Sequence, residues 1–225
     1  MVASWLHCPA DMMRLLTVKG SQSWLPSDLT KSKREPVVLF EPAKNLVLIG
    51  GRGCGKSSVA RRIKRLNKQF ILFELDALIR YEAGGLTIPR IVERHGWSYF
   101  RDLEYEVVRK IAAFPSGLLV DAGGGVVVDL DEHGNEVYSE RKVDALREHG
   151  LIVYLQRDTE YLLQRIAGDS NRPSLSDTTS FTEIMERRDP WYRQAADHVF
   201  ECQELSKKQI AYTVLEWFDT NTDID

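Results

Sequence analysis

The residues whose types and spacing carry chemistry most plainly are Gly50-Gly51-Arg52-Gly53-Cys54-Gly55-Lys56-Ser57. They fit G-x-x-x-x-G-K-[ST], a pattern in which glycines let backbone N–H groups close around phosphates where side chains would collide. Lys56 is then placed to reach the β- and γ-phosphates of ATP, and Ser57 to offer its hydroxyl to Mg²⁺. Gly51, Arg52, Gly53, Cys54, Gly55, Lys56, Ser57 and Ser58 are the expected nucleotide-binding residues, with Lys56 also catalytic. The competing reading is a glycine-rich turn that binds nothing. The flanks weigh against it, because a strand-length apolar run precedes the motif and a helix-period segment follows, adding its positive end to the same anion.

The elements that must position this cradle follow from periodicity. Apolar runs at Leu46–Ile49, Phe70–Leu75, Leu118–Val120, Leu151–Leu155 and His198–Cys202 read as short buried strands alternating with helix-period segments, the pattern of an α/β chain with a parallel sheet. Val59, Ile63 and Leu66 share one helix face. Ser98 is the expected cap of a long helix whose stripe is Phe100, Leu103, Val107 and Ile111, ending before Pro115. Ser180 with Glu183 has capping-box spacing, and Ser206 is the expected cap of a last helix through Ile210, Val214 and Trp217. Two segments resist the scheme: Asp129–Arg141 reads as an inserted loop or hairpin, and Gly168–Thr179, rich in Ser, Asp and Thr, as a mobile lid.

Composition narrows the partners. With 225 residues and 43% apolar content the chain supports one well-buried core with appended parts. A formal charge of −3 and pI near 6.0 give no broad basic field, so nucleic acid and anionic membrane are not expected partners. Cys8, Cys54 and Cys202 are odd in number and widely spaced, which suggests neither disulfides nor a zinc site and fits a reducing cytoplasm. No run approaches the ~20 apolar residues of a membrane span. Residues 1–44 read as an extension of unknown role before a domain at 45–225.

A phosphate cradle alone does not separate a metabolite kinase from a switch GTPase or a motor ATPase, and the guanine-reading N-K-x-D is absent. An ordered series of further motifs, from about Asn45 to Cys202, resembles the shikimate kinase family. Phe73-Glu74-Leu75-Asp76 is similar to the family's D-x-D, Arg101-Asp102-Leu103-Glu104 to its R-x-x-E, and Asp121-Ala122-Gly123-Gly124-Gly125 to its glycine run. Asn171-Arg172-Pro173-Ser174-Leu175 resembles its lid, and Arg188-Asp189-Pro190-Trp191-Tyr192 with Ala195-Ala196-Asp197 its R-x-P-x-Y…A-D.

The resemblance implies a P-loop, nucleoside-monophosphate-kinase-like fold with a five-stranded parallel sheet, a substrate-binding part at 77–110 and a lid at 168–180. It implies transfer of the γ-phosphate of Mg·ATP to the 3-hydroxyl of shikimate, in aromatic amino-acid biosynthesis; a cytoplasmic monomer is expected. Asp76 would orient or deprotonate the hydroxyl, and Arg101 and Arg188 would grip the substrate carboxylate beside Gly123, Gly124 and Gly125. Arg172 would act on the phosphates as an arginine finger in cis, and Arg165 would pack on adenine. Glu74 would support Mg²⁺ with Ser57. Glu74 stands where the family has Asp, Asp121 where it has a small residue, and Ser174 where it has Leu. Asp121 is therefore a further candidate for magnesium support, compensating for Glu74. Other readings stay open: acidic strand caps at Glu74 and Asp76, a surface ion pair at Arg101 and Glu104, and a solvated charge at Arg165. For the whole chain the alternatives are a non-catalytic ligand-sensing or partner-binding module, or a kinase for another small carboxylated metabolite.

Overall fold

The computed structural model describes residues 43–166 and 180–222. Its elements in chain order are β1 (Asn45–Ile49), α1 (Lys56–Leu66), β2 (Ile71–Glu74), α2 (Leu75–Glu82), α3 (Ile88–Ala112), β3 (Leu118–Asp121), β4 (Val128–Leu130), β5 (Glu136–Tyr138), α4 (Glu140–Arg147), β6 (Gly150–Gln156), α5 (Thr159–Ile166), α6 (Phe181–Ala195), β7 (His198–Glu201) and α7 (Lys207–Thr222). β2, β3, β1, β6 and β7 form a five-stranded sheet in that order, every pairing parallel. The expected α/β architecture is the observed one.

β1 lies at the centre, and all its residues are buried. A parallel strand covered by helices on both faces has no solvent side, which is why Leu46–Ile49 reads as continuous rather than alternating hydrophobicity. α1 buries Val59, Ala60 and Ile63 and leaves Arg61 and Arg65 in solvent. The carboxyl ends of the strands share one edge, where parallel α/β sheets gather their ligand-binding loops. The glycine-rich loop after β1, Glu74 at the end of β2 and Asp121 at the end of β3 all sit there.

Two local expectations are corrected, and the hairpin reading of 129–141 holds. A helical segment already runs from Ile88, and Gly96, at φ 83°, breaks its path, so the expected long helix begins just beyond Gly96 and Ser98 falls in its first turn rather than at its cap. Phe100, Val107 and Ile111 are buried as expected, while Leu103 is half-buried. β2 stops at Glu74, because Leu75 and Ile79, both fully buried, form the apolar stripe of α2. Residues 129–141 span the β4–β5 hairpin and the start of α4. The hairpin turn is closed by Asp131, whose carboxylate accepts from the amides of His133 (2.9 Å) and Asn135 (2.8 Å). Ser180 and Glu183 form the anticipated capping box, and Ser206 accepts from the amide of Gln209 at the start of α7. Most of 168–180 and of 1–44, including Arg172, lies outside the described residues. Among the described residues no helix is long and apolar enough to cross a membrane.

One polar side chain fastens the sheet's opposite edge. Asn45 is 4% exposed; its amide donates to the Phe114 carbonyl (2.7 Å) and its oxygen accepts from the Leu118 amide (2.9 Å), joining β1 to the α3–β3 connection. Asn45→Ala leaves both backbone groups without a partner, and a loss of about 1–3 kcal/mol in denaturant unfolding is expected. Unchanged stability would show that water replaces the amide there.

Candidate active site

β1 delivers the chain into the loop at Gly50, and Gly55, at φ 101°, caps α1 in the left-handed region. Its carbonyl accepts from the amides of Ser58 and Val59, each at 3.0 Å, which starts the helix directly beneath the loop. Lys56 is 8% exposed and donates to the carbonyls of Gly50 (2.7 Å) and Gly51 (3.2 Å). Burial disfavours its charge, but Cys54, Asp121, Tyr192 and Asp76 surround it with acidic groups and hold its pKa above the ordinary lysine value. Cys54 itself is buried and free, with its sulfur 3.7 Å from the Lys56 nitrogen.

Sheet register sets the acidic groups. Glu74 is the cross-strand partner of Asp121, and Asp121 that of Leu48, so both carboxylates stand beside the loop. Their environments differ. Asp121 is buried, which lifts its pKa, while the nearby Lys56 and a hydrogen bond from the Ser57 hydroxyl pull the other way. Glu74 is half-exposed and turns one oxygen to Arg61 across 3.3 Å. Of the two, Asp121 has the contact to the hydroxyl expected to meet the metal. Among the described residues no cluster of three or more His, Cys, Asp or Glu is arranged to hold a metal ion by itself.

A cleft of about 430 Å³ opens over the loop, lined by Lys56, Ser57, Glu74, Asp76, Asp121 and Arg165 among others. Beside it lies a smaller pocket of about 80 Å³, bounded by Trp97, Phe100, Arg101, Glu104 and Arg188. Arg52, Asp76, Gly123 and Gly124 line both. The glycine run is needed for closeness: a Cβ on Gly123 would come within 2.7 Å of an Asp76 carboxylate oxygen, and one on Gly125 within 2.5 Å of Arg101 Nη1. The structure thus brings together the expected site residues it describes except Gly51 and Cys54, which are buried in the loop and line neither space.

The two arginines are buried, Arg101 to 4% exposure and Arg188 to 3%. Arg101 donates through Nη1 to Glu104 (2.9 Å) and to the Gly125 carbonyl (3.1 Å), and its guanidinium lies over the rings of Trp97 and Phe100. A surface ion pair is therefore excluded for Arg101 and Glu104. Glu104 also accepts from Lys142 at 2.8 Å, and Lys142 is fully buried. Burial raises a carboxyl's pKa, but Lys142 and Arg101 outweigh it and hold Glu104 below the usual range. Arg188 is clasped by Glu136 through Nε (3.1 Å) and Nη2. The Tyr192 hydroxyl, which hydrogen-bonds with Arg188, donates in turn to the Gly124 carbonyl.

Sequence reasoning missed Asp129 and Glu136, which lie within the stretch read as an insertion, and Lys142, which directly follows it. Asp129 accepts from Ser139 (2.7 Å) and Arg141 (2.7 Å) and lies 3.8 Å from Lys142, so the hairpin and α4 supply the charges behind Arg101. The one available signal was the mixture of Asp, Glu, Arg and Lys between Asp129 and Lys142, which composition alone cannot tell from a solvated loop.

A model of the shikimate kinase family matches residues 52–219. The chain belongs to the shikimate kinase family. Shikimate kinase of Leptospira biflexa is 44% identical over 173 residues, covering 77% of this chain and 94% of that protein. The enzyme of Leptospira borgpetersenii is 36% identical over 174 residues, 76% and 96% respectively. The solved structure of Acinetobacter baumannii shikimate kinase in complex with shikimate superposes with a TM-score of 0.69 at 29% identity, covering 81% of this chain and 96% of that one. Family membership accounts for the ordered motifs and for the P-loop kinase fold together.

The buried ion network gives this family member a defined acid response. Glu104 has a lowered folded-state pKa, so the stability it contributes is present above its unfolded value of about 4.3 and is lost as pH falls through the folded value below that. Glu104→Gln strands two buried cations and is expected to cost about 3–5 kcal/mol at neutral pH. In denaturant unfolding across acid pH the gap between variant and parent should narrow below about pH 4. A constant gap would mean that Glu104 is not ionised in the fold.

Proposed function

We propose that this chain phosphorylates the 3-hydroxyl of shikimate with ATP, and that the members of the sequence motifs act in the roles their family implies. The observation that carries the reading is the pair of buried arginines in a pocket that opens directly onto the phosphate cleft, with Asp76 lining both spaces. A planar carboxylate is what two guanidinium groups bind best, and the hydroxyl of a small ring held there faces the γ-phosphate side. Glu104 and Lys142 keep Arg101 from moving, so the acceptor enters a pre-shaped charge field.

The hydroxyl oxygen attacks the γ-phosphorus in line as the bond to the β–γ bridging oxygen breaks, giving ADP and the phosphate ester. Asp76 orients the hydroxyl and receives its proton. Lys56 and the loop amides bear on the β- and γ-phosphates, with Arg165 at the nucleotide's far end. Arg172, outside the described residues, is proposed as the arginine finger of a lid spanning 168–180. Mg²⁺, held through Ser57 and, by way of water, Asp121 and Glu74, would neutralise phosphate charge. The hydrogen bond between Ser57 and Asp121 supports this assignment. The domain is proposed to run from 45 to 225, with 77–110 as its acceptor-binding part, and the protein to act as a cytoplasmic monomer.

ADP release with Mg·ATP, with and without shikimate and with quinate and gluconate as comparison acceptors, tests the reaction. Shikimate-dependent release is expected. Tight nucleotide binding without release for any acceptor would instead indicate a ligand-sensing module. If Asp121 supports the metal, Asp121→Asn should raise the Mg²⁺ concentration for half-maximal rate by roughly tenfold or more. Unchanged magnesium dependence would remove Asp121 from the metal's surroundings.

A further inference from the structure

The β4–β5 hairpin contains none of the phosphate or acceptor motifs, yet it sends one carboxylate to the acceptor pocket's wall. Glu136 lies on β5 opposite Leu130, one rung from the pair Asp129 and Val137. Its side chain is 15% exposed, and that of Arg188 is 3%. The contact is side-on: Arg188 Nε donates to Oε2 at 3.1 Å and Nη2 donates to Oε1. Arg187, which is 40% exposed, donates to the same Oε2 from Nη2 at 2.9 Å and Nε at 3.2 Å.

A buried guanidinium on a long side chain has no fixed aim without a partner, and its charge is costly without a counter-charge. Glu136 supplies both. The fork across Nε and Nη2 fixes the plane of the group, and the hydrogen bond with Tyr192 ties it to Gly124 in the glycine run. Arg101 is held in parallel fashion by Glu104, with Lys142 and the hairpin's Asp129 behind it. One hairpin thus places carboxylates on adjacent rungs, Glu136 on Arg188 itself and Asp129 near the Lys142 that backs Arg101's partner Glu104.

We propose that Glu136 is a positioning residue that aims Arg188 at the acceptor's carboxylate and so sets the pocket's preference for an acidic acceptor. This rests on the shikimate-binding reading above. A purely structural role would be to tether the hairpin to α6, and the solvent-facing Arg187 is the part of the contact that serves only that.

The test is calorimetric titration of the full chain with shikimate, with its methyl ester and with ADP. In Glu136→Gln, shikimate should bind roughly tenfold or more weakly. The ester, which has no carboxylate charge to be gripped, and ADP should stay within about twofold. Glu136→Asp should recover part of the loss, and Arg187→Gln should leave shikimate binding within the same about twofold. Equal weakening of shikimate and ester would reduce Glu136 to a structural tether. Unchanged or tighter shikimate binding in Glu136→Gln would overturn the proposal, the tighter case making Glu136 a competitor for Arg188. A parent protein that binds ADP but neither acceptor would defeat the functional reading itself, and this proposal with it.

Discussion

Two positive side chains buried in one pocket are the constraint around which the acceptor side of this fold is arranged. Arg101 and Arg188 are both almost inaccessible to solvent, and a guanidinium removed from water persists only where counter-charge and hydrogen bonds replace hydration. Each is given a carboxylate from a different part of the chain: Glu104 one helical step along α3, and Glu136 from the hairpin. Glu104 is itself shared with Lys142, and Lys142 lies close to Asp129, so the charges alternate from the pocket wall back to α4. Such a network contributes little net stability compared with an apolar core of the same volume. Its consequence is a fixed direction of positive potential in a chain whose formal charge is −3.

The phosphate side solves the same problem differently. There the proposed donors are backbone amides and one lysine, and the geometry comes from a loop clamped between the central strand and α1. Lys56 is held by the loop's own carbonyls, within a ring of acidic groups, so it remains charged despite burial. Asp121 sits next to Ser57 because β3 pairs with β1 in a register that places it opposite Leu48. The departure from the family's small residue at that position therefore falls where a carboxylate has a polar partner. Gly123 and Gly125 join the two halves, each lying so near a functional side chain that a methyl group would displace it.

Much of this is legible in the sequence alone. The cradle's glycines, Lys56 and Ser57 announce themselves because their spacing is dictated by the phosphate, whatever surrounds it. The sheet strands were readable because full burial imposes unbroken apolar runs, and Arg101 with Glu104 because a spacing of three places both on one helical face. The bend at Gly96 was not legible, since glycine is compatible with both a continuing and a broken helix. Nor was the end of β2 at Glu74, where Leu75 and Ile79 satisfy strand-like and helix-like patterns over so short a span.

Local sequence therefore determined the elements, the phosphate-binding loop and the identity of the arginines, because those depend on interactions among residues near each other along the chain. Only the tertiary structure decided what holds the arginines. Glu136 and Arg188 are 52 positions apart, and Glu104 and Lys142 are 38 apart. In sequence, an acidic and basic stretch such as 129–142 looks the same whether water or a buried counter-ion receives its charge. Burial distinguishes the two cases, and burial is a property of the folded whole.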